Sequence, residues 1–80
     1  MPTVLRIDGF QVRIFPNDHP PAHVHVYKAG TVVVLELRTG EDKLSVRSLA
    51  GMLDSDVVKA FRIVEEHQEF LQTKWEELHG

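Results

Sequence analysis

The stretch "HPPAHVHV", residues 19–26, places three histidines within seven positions, His19-x3-His23-x-His25, directly behind Asp18. Three chemistries use such a set. The first is metal binding: a His-x-His pair on a strand puts both imidazoles on one face with about 7 Å between α-carbons, a spacing at which histidine pairs bind zinc. His19, His23 and His25 are then the candidate ligands, and Asp18 is an equally good carboxylate ligand from the same loop. His19 is the hardest to bring in, because a polyproline run through Pro20 and Pro21 at ~3.1 Å per residue would carry it roughly 12 Å away. The second chemistry is general acid/base catalysis. Histidine titrates near neutrality, so His23 and His25 beside Tyr27 and Arg13 could move a proton and stabilise charge on a phosphodiester, as metal-independent ribonucleases do. The third reading is structural, with the histidines pairing across strands with Glu36 or Ser45. Residue types and spacing leave all three open.

Composition narrows the chemistry further. The 80 residues include no cysteine, which excludes thiolate ligands and disulfides and leaves histidine and carboxylate to hold any transition metal. No cofactor is required by the sequence, and zinc is the metal these residues could take. At 42% apolar and 26% charged residues the chain has the make-up of one soluble globular domain spanning residues 1–80. The longest apolar run, "TVVVLEL", is strand length and far short of the ~20 residues of a membrane helix. No membrane association is expected, and a reducing cytoplasm is the expected compartment. The formal net charge is −3, but it is unevenly spread. Residues 1–50 carry six Lys/Arg against five Asp/Glu, whereas residues 51–80 carry three against seven. The two halves therefore offer different surfaces to a partner.

The elements that must position these residues are legible from periodicity. "TVLRI", "DG" and "FQVRIF" read as strand, type I′ turn and strand. After the loop "PNDHPPA", "HVHVYK" forms a third strand with Val24 and Val26 on one side and His23, His25 and Tyr27 on the other. "VVVLELR" and "KLSVR" supply a fourth and a fifth strand around the turns "AGT" and "TGED", with Val33, Leu35, Leu37, Leu44 and Val46 inward. The connections are short, so residues 1–48 form an antiparallel meander.

From Asp54 the period changes to that of a helix. Val57, Phe61, Val64, Gln68, Leu71, Trp75 and Leu78 follow a 4-3-4-3 spacing, an apolar seam interrupted once by Gln68. Asp54 or Ser55 is placed to cap the start, and Gly80 lies where a C′ glycine belongs. The expected fold is therefore a two-layer α+β domain, with a five-stranded sheet packed against one long C-terminal helix over residues 54–79. Its length raises a conflict, since about 25 helical residues span ~37 Å while the diagonal of such a sheet is about 31 Å. Either the helix bends near His67-Gln68, or its last turns, with Phe70, Leu71, Trp75 and Leu78, cover a partner or a second copy of the chain.

Alternation assigns Arg6, Gln11, Arg13, His23, His25, Tyr27, Glu36, Arg38, Lys43, Ser45 and Arg47 to the sheet face away from the helix. Arg6, Arg13, Arg38, Lys43 and Arg47 make this face basic enough to bind RNA phosphates or an acidic protein surface. An open antiparallel sheet is also ordinarily polar on its wet side, so solvation alone accounts for such a face equally well.

The first thirty residues, with the "MPT" start, the hairpin and the signature H-P-P-x-H-x-H, resemble the opening of the small prokaryotic domain-of-unknown-function family 4160. The helix "RIVEEHQEFLQTKW", a Val-Glu-Glu run followed by tryptophan, is similar to that family's late helix, so the resemblance covers nearly the whole chain. Residue by residue it marks His19, Pro20, Pro21, His23, His25 and Trp75; His67 stands where many relatives have asparagine. The resemblance implies a toxin–antitoxin component acting with a cognate small protein and, through the basic face, RNA. The favoured expectation is thus an interaction module that uses Arg6, Arg13, Arg38, Lys43 and Arg47 together with Phe70 and Trp75, homodimeric where the helix pairs. The alternative is an enzyme, a ribonuclease-like phosphodiesterase or metal enzyme, with His23, His25 and Tyr27 catalytic.

Overall fold

A computed structural model describes residues 3–38 and 43–79. Five antiparallel strands in the order β1-β2-β3-β4-β5 form one sheet, namely β1 (Thr3–Ile7), β2 (Phe10–Arg13), β3 (His23–Lys28), β4 (Thr31–Glu36) and β5 (Ser45–Ala50), followed by helices α1 (Asp54–Glu66) and α2 (Gln68–His79). The meander follows from its turns. Asp8 and Gly9 both sit at positive φ, 51° and 83°, the backbone a two-residue I′ hairpin demands. The β3–β4 turn repeats this at Ala29 and Gly30, φ 48° and 80°. The expected turn at 39–42 and the expected C′ glycine at 80 lie outside the described residues.

Register follows the alternation. Leu5, Val12, Val26, Val33 and Leu49 pair across the strands as one row, and Arg6, Gln11, Tyr27, Val32 and Ala50 as the next. The fifth strand departs from expectation: it runs Ser45–Ala50 rather than 43–47. Val34 pairs with Ser48 and Leu35 with Val46, so Arg47 is the extra residue of a bulge, which turns it toward the face that carries His23. Leu44 is buried as expected, but Val46 is 43% exposed on an edge strand that is exposed at all its positions.

The single long helix is not formed. It breaks at His67, whose φ of −114° and ψ of 24° are not helical and whose N–H is shared between the carbonyls of Ile63 and Val64. The break resolves the length conflict, because each helix is then under ~20 Å long and fits a molecule 32 × 30 × 19 Å across. The start of α1 also differs from expectation: Leu53 is the N-cap and makes no side-chain cap bond. The seam is nevertheless the buried face. Val64 and Leu71 are fully enclosed and Trp75 nearly so, with Ala60 and Ile63 beside them against Phe10, Val12, Ile14, Val24, Val26, Val33 and Leu35. Gln68, the interruption, is buried with its amide donating to the Arg38 carbonyl, which also accepts from Gln72. A leucine there would bury more apolar area but could not tie α2 to the end of β4.

Helix α2 crosses the end of the sheet, from the Arg38 carbonyl beyond β4 to the Phe15 carbonyl beyond β2, where the His79 ring makes its contact. Between them Trp75 lies against His23 at the start of β3, ring centroids 5.2 Å apart. Trp75 is therefore an internal residue, which removes it as the expected partner contact. Leu71 is likewise enclosed, and of the four expected interface residues only Phe70 and Leu78 stay exposed, at 41% and 42%.

Candidate metal and acid/base site

The loop between β2 and β3 does not carry its polar residues away. Phe15-Pro16-Asn17-Asp18 closes as a β-turn, with the Asp18 N–H donating to the Phe15 carbonyl at 3.0 Å and the Phe15 N–H donating back to Asp18 Oδ2 at 3.1 Å. Pro16 supplies the fixed φ that the second turn position favours. This reciprocal pair holds the Asp18 carboxylate over the outer face of β3. Asp18 Oδ1 lies 3.6 Å from His23 Nε2, and Oδ2 lies 3.4 Å from His25 Nε2. The polyproline expectation is not met; the Pro20–Pro21 peptide is cis.

One ligand atom from each of Asp18, His23 and His25 lies within 4.8 Å of the others. No atom of such a triangle need be farther than about 2.8 Å from a central point, so adjustments of under ~1 Å would bring all three to zinc–ligand distances of 2.0–2.2 Å. Burial separates this group from an ordinary surface cluster. The side chains of His23, Asp18 and His25 are only 7%, 15% and 21% exposed. His23 is thus not on the wet side of the sheet, as alternation alone suggested, because the turn and Trp75 cover it.

Protonation adds to the argument. The Pro21 carbonyl lies 2.9 Å from His23 Nδ1, and a carbonyl oxygen can only accept, so Nδ1 carries the proton. The Arg47 guanidinium, 3.2 Å from the same nitrogen, cannot also donate to it and lies beside the ring. Nε2 is then a lone pair facing a carboxylate. His25 Nε2 faces the same carboxylate and is buried with no hydrogen-bond partner, since its 3.4 Å approach to Asp18 lacks hydrogen-bond orientation. Burial pushes the His25 imidazole below its ordinary value of 6.5; the Asp18 charge pulls it up, and the His23 ring and Arg47 reinforce the fall. A histidine kept neutral in this way is in the form that binds a metal or accepts a proton.

The group opens into a pocket of about 360 Å³ lined by Asn17, Asp18, His19, His23, His25, Val34, Arg47 and Ser48. His19, the third expected ligand, is exposed on this lining and is not one of the converging three; Asp18 occupies that role in the geometry. Tyr27 is not among the lining residues, and its ring lies under the Arg13 guanidinium at 4.2 Å. Phe15 closes the other side, edge-on to His25 at 4.9 Å.

The expected basic face is only partly assembled. Arg6 is exposed on it, Arg13 is tied to Gln11 at 2.7 Å and to Tyr27, and Arg47 approaches Glu36 at 3.8 Å. Arg38 and Lys43 fall on the helix side, lining a recess with Phe61, Glu65 and Gln68. Phe70 lines a neighbouring recess with Arg38 and Glu66. A further cavity of about 400 Å³ lies among Phe10, Lys28, Lys59, Arg62 and Ile63. There Lys28 is already paired with Asp56 at 3.4 Å, and no buried polar group is left without a partner.

Sequence reasoning missed the fixing contacts: the Phe15 N–H on Asp18, the Pro21 carbonyl on His23, and Arg47. The signal for the first was present, because "FPND" has proline and Asx residues in turn order. The others depend on a bulge and a loop path that periodicity does not encode.

The fold and this pocket define a small two-layer α+β domain with a histidine–carboxylate centre. Residues 9–76 match the family described as domain of unknown function (DUF4160), and the chain belongs to that family. No curated protein and no solved structure matches the chain. No helix among the described residues is long and apolar enough to cross a membrane.

Proposed function

We propose that Asp18, His23 and His25 bind a divalent transition metal, and that the chain is a small metal-dependent domain of hydrolytic type. The observation that carries this reading is the convergence of two imidazole nitrogens and a carboxylate on one point, with the His25 nitrogen buried and unpartnered. Without a cation, a proton must sit on one of the rings to relieve the repulsion; a metal relieves it for all three at once. Two histidines and a carboxylate are a catalytic zinc set, which leaves a fourth position for water. Phe15 and Pro21 then fill the orienting roles that carbonyls and amides play behind metal ligands.

The test is a melting curve of metal-stripped protein with and without zinc. At a hundred times its dissociation constant a ligand bound only by the native state adds about 2.7 kcal/mol, a rise of roughly 10–20 °C for a domain of this size. Asp18→Asn keeps an oxygen for the Phe15 N–H and an amide that can donate to a histidine, so it folds while losing the carboxylate. An unchanged melting temperature in zinc, or an equal rise in Asp18→Asn, sinks the proposal.

A second reading, a cognate small protein as partner in a toxin–antitoxin pair, is favoured by β5. It is an edge strand exposed throughout, with Val46 and Leu49 at 43% and 51% exposure, and an unpaired edge invites an added strand. Leu49→Lys should abolish co-purification of the cognate small protein while leaving zinc binding intact; capture that survives this change places the partner elsewhere. RNA, the other expected partner, should bind with an affinity that falls steeply with salt through Arg6, Arg13 and Arg47; salt-independent binding would remove it.

A further inference from the structure

We infer that the pocket above the metal position takes a phosphoryl group, held between the metal and the Arg47 guanidinium; this rests on the metal reading given above. Charge leads to it. A divalent ion held by one carboxylate and two neutral imidazoles keeps a net charge of +1, and Arg47 adds a second positive charge beside His23. Glu36 meets the Nε side of Arg47 at 3.8 Å, whereas a terminal nitrogen is the one that lies by the His23 ring, so that end of the fork is at the site. An oxyanion that bridges the metal and the fork meets positive charge at both ends.

The other lining groups fit the same ligand. Asn17, His19 and Ser48 stand around the pocket and can donate hydrogen bonds. Asp18 is the one acid on the lining and is spent on the metal. Donors on several sides suit three phosphoryl oxygens better than the two of a carboxylate. Arginine is the side chain that matches phosphate in a fork, and a metal with an arginine is a recurring clamp on phosphoryl groups. Val34 supplies an apolar wall. A pocket of about 360 Å³ is at the lower end of ligand-site volumes, enough for a phosphate with a small part of what it is esterified to.

Cobalt(II) in place of zinc makes both steps visible, because its visible absorption reports on the atoms around the ion. The full chain is titrated first with cobalt, then with inorganic phosphate, with acetate, and with an RNA dinucleotide whose only phosphate is the internal diester. The expected result is a cobalt spectrum that changes on adding phosphate or the dinucleotide at concentrations where acetate has no effect. Tighter binding of inorganic phosphate marks a monoester or free phosphate as the ligand; tighter binding of the dinucleotide marks a polynucleotide.

Arg47→Ala should weaken the phosphoryl ligand about 10- to 100-fold, the range for losing a charged hydrogen-bond partner. Its cobalt affinity should not fall, since a nearby cation has been removed. Arg47→Lys, which keeps the charge without the fork, should lie between. A purely structural role for Arg47 would lower both affinities together, and that result overturns the inference, as does acetate binding as well as phosphate. Cobalt that binds but ignores phosphate overturns this inference alone. If cobalt does not bind, the metal reading fails with it.

Discussion

The last turn of α2 offers a quantitative test of how the site is held. His79 Nδ1 lies 2.9 Å from the Trp75 carbonyl and Nε2 lies 3.1 Å from the Phe15 carbonyl. Carbonyl oxygens only accept, so a ring carrying one N–H donates to one of the two at a time. The ring also stacks on Trp75, centroids 3.8 Å apart at 24°, and Trp75 in turn covers His23. Replacing His79 with alanine removes one hydrogen bond worth about 1 kcal/mol at a partly buried position. It also removes a stacked pair worth about 0.5–1.5 kcal/mol. The expected loss is therefore ~1.5–2.5 kcal/mol, out of a total of roughly 4–12 kcal/mol for a chain of this length. Urea denaturation monitored by circular dichroism measures it directly, and the melting temperature should fall by about 6–20 °C. His79→Gln, which can keep one of the two bonds, should fall between wild type and alanine. The carbonyl that His79 holds belongs to the residue whose N–H fixes Asp18, so the alanine variant should also bind zinc several-fold more weakly. A stability loss under about 0.5 kcal/mol would show instead that the end of α2 frays and anchors nothing, as chain ends commonly do.

Three further outcomes follow from single residues. Because burial holds His25 below 6.5 in the fold, the unfolded chain takes up a proton that the native chain refuses once the pH drops below that value. Metal-free protein should therefore lose stability from pH 6.5 downward and feel nothing from this group above it; a His25→Asn variant as pH-sensitive as wild type between pH 7.5 and 5.5 contradicts this. Ala29, at a φ of 48°, sits in a conformation that a side chain with Cβ rarely adopts, so Ala29→Asn should raise stability by about 0.5–1 kcal/mol, readable as a higher urea midpoint. Gly9→Ala, at φ 83° with open space around it, should cost about 1 kcal/mol through backbone strain alone, and an unchanged melt would argue against the I′ turn.

What could be read in the residues divides along a physical line. Side of sheet is a local property, so "DG", the valine rows and the helical seam placed β1 and β3 as observed, β2 and β4 to within two residues at their ends, and most of the core and the helical region. What covers a side is a non-local property, and there the reading failed in a consistent direction. His23 was assigned to water because strand alternation cannot register that a β-turn at Phe15–Asp18 and an indole from α2 both close over it. Trp75 was assigned to a partner because a straight helix leaves it without a surface; the length conflict also offered a bend near His67-Gln68, and the break at His67 is the alternative the chain takes, with no proline or glycine to mark it. Arg47, by contrast, was read onto the histidine face and lies there; only the bulge that adds one residue of β5 at that point was not legible.

The same distinction decides between the histidines. His19 belongs to the sequence signature as much as His23 and His25 do, yet the chain's geometry uses Asp18 in its place. The difference is in how each is fixed. Asp18 closes a turn with Phe15 through two hydrogen bonds and reaches both rings, whereas His19 is exposed one residue further on and lines the pocket. If His19 were a ligand, His19→Ala would weaken zinc as much as Asp18→Asn; placed on the lining, it should leave zinc affinity within about threefold and weaken only a bound anion. Measuring the two variants side by side separates the signature from the site.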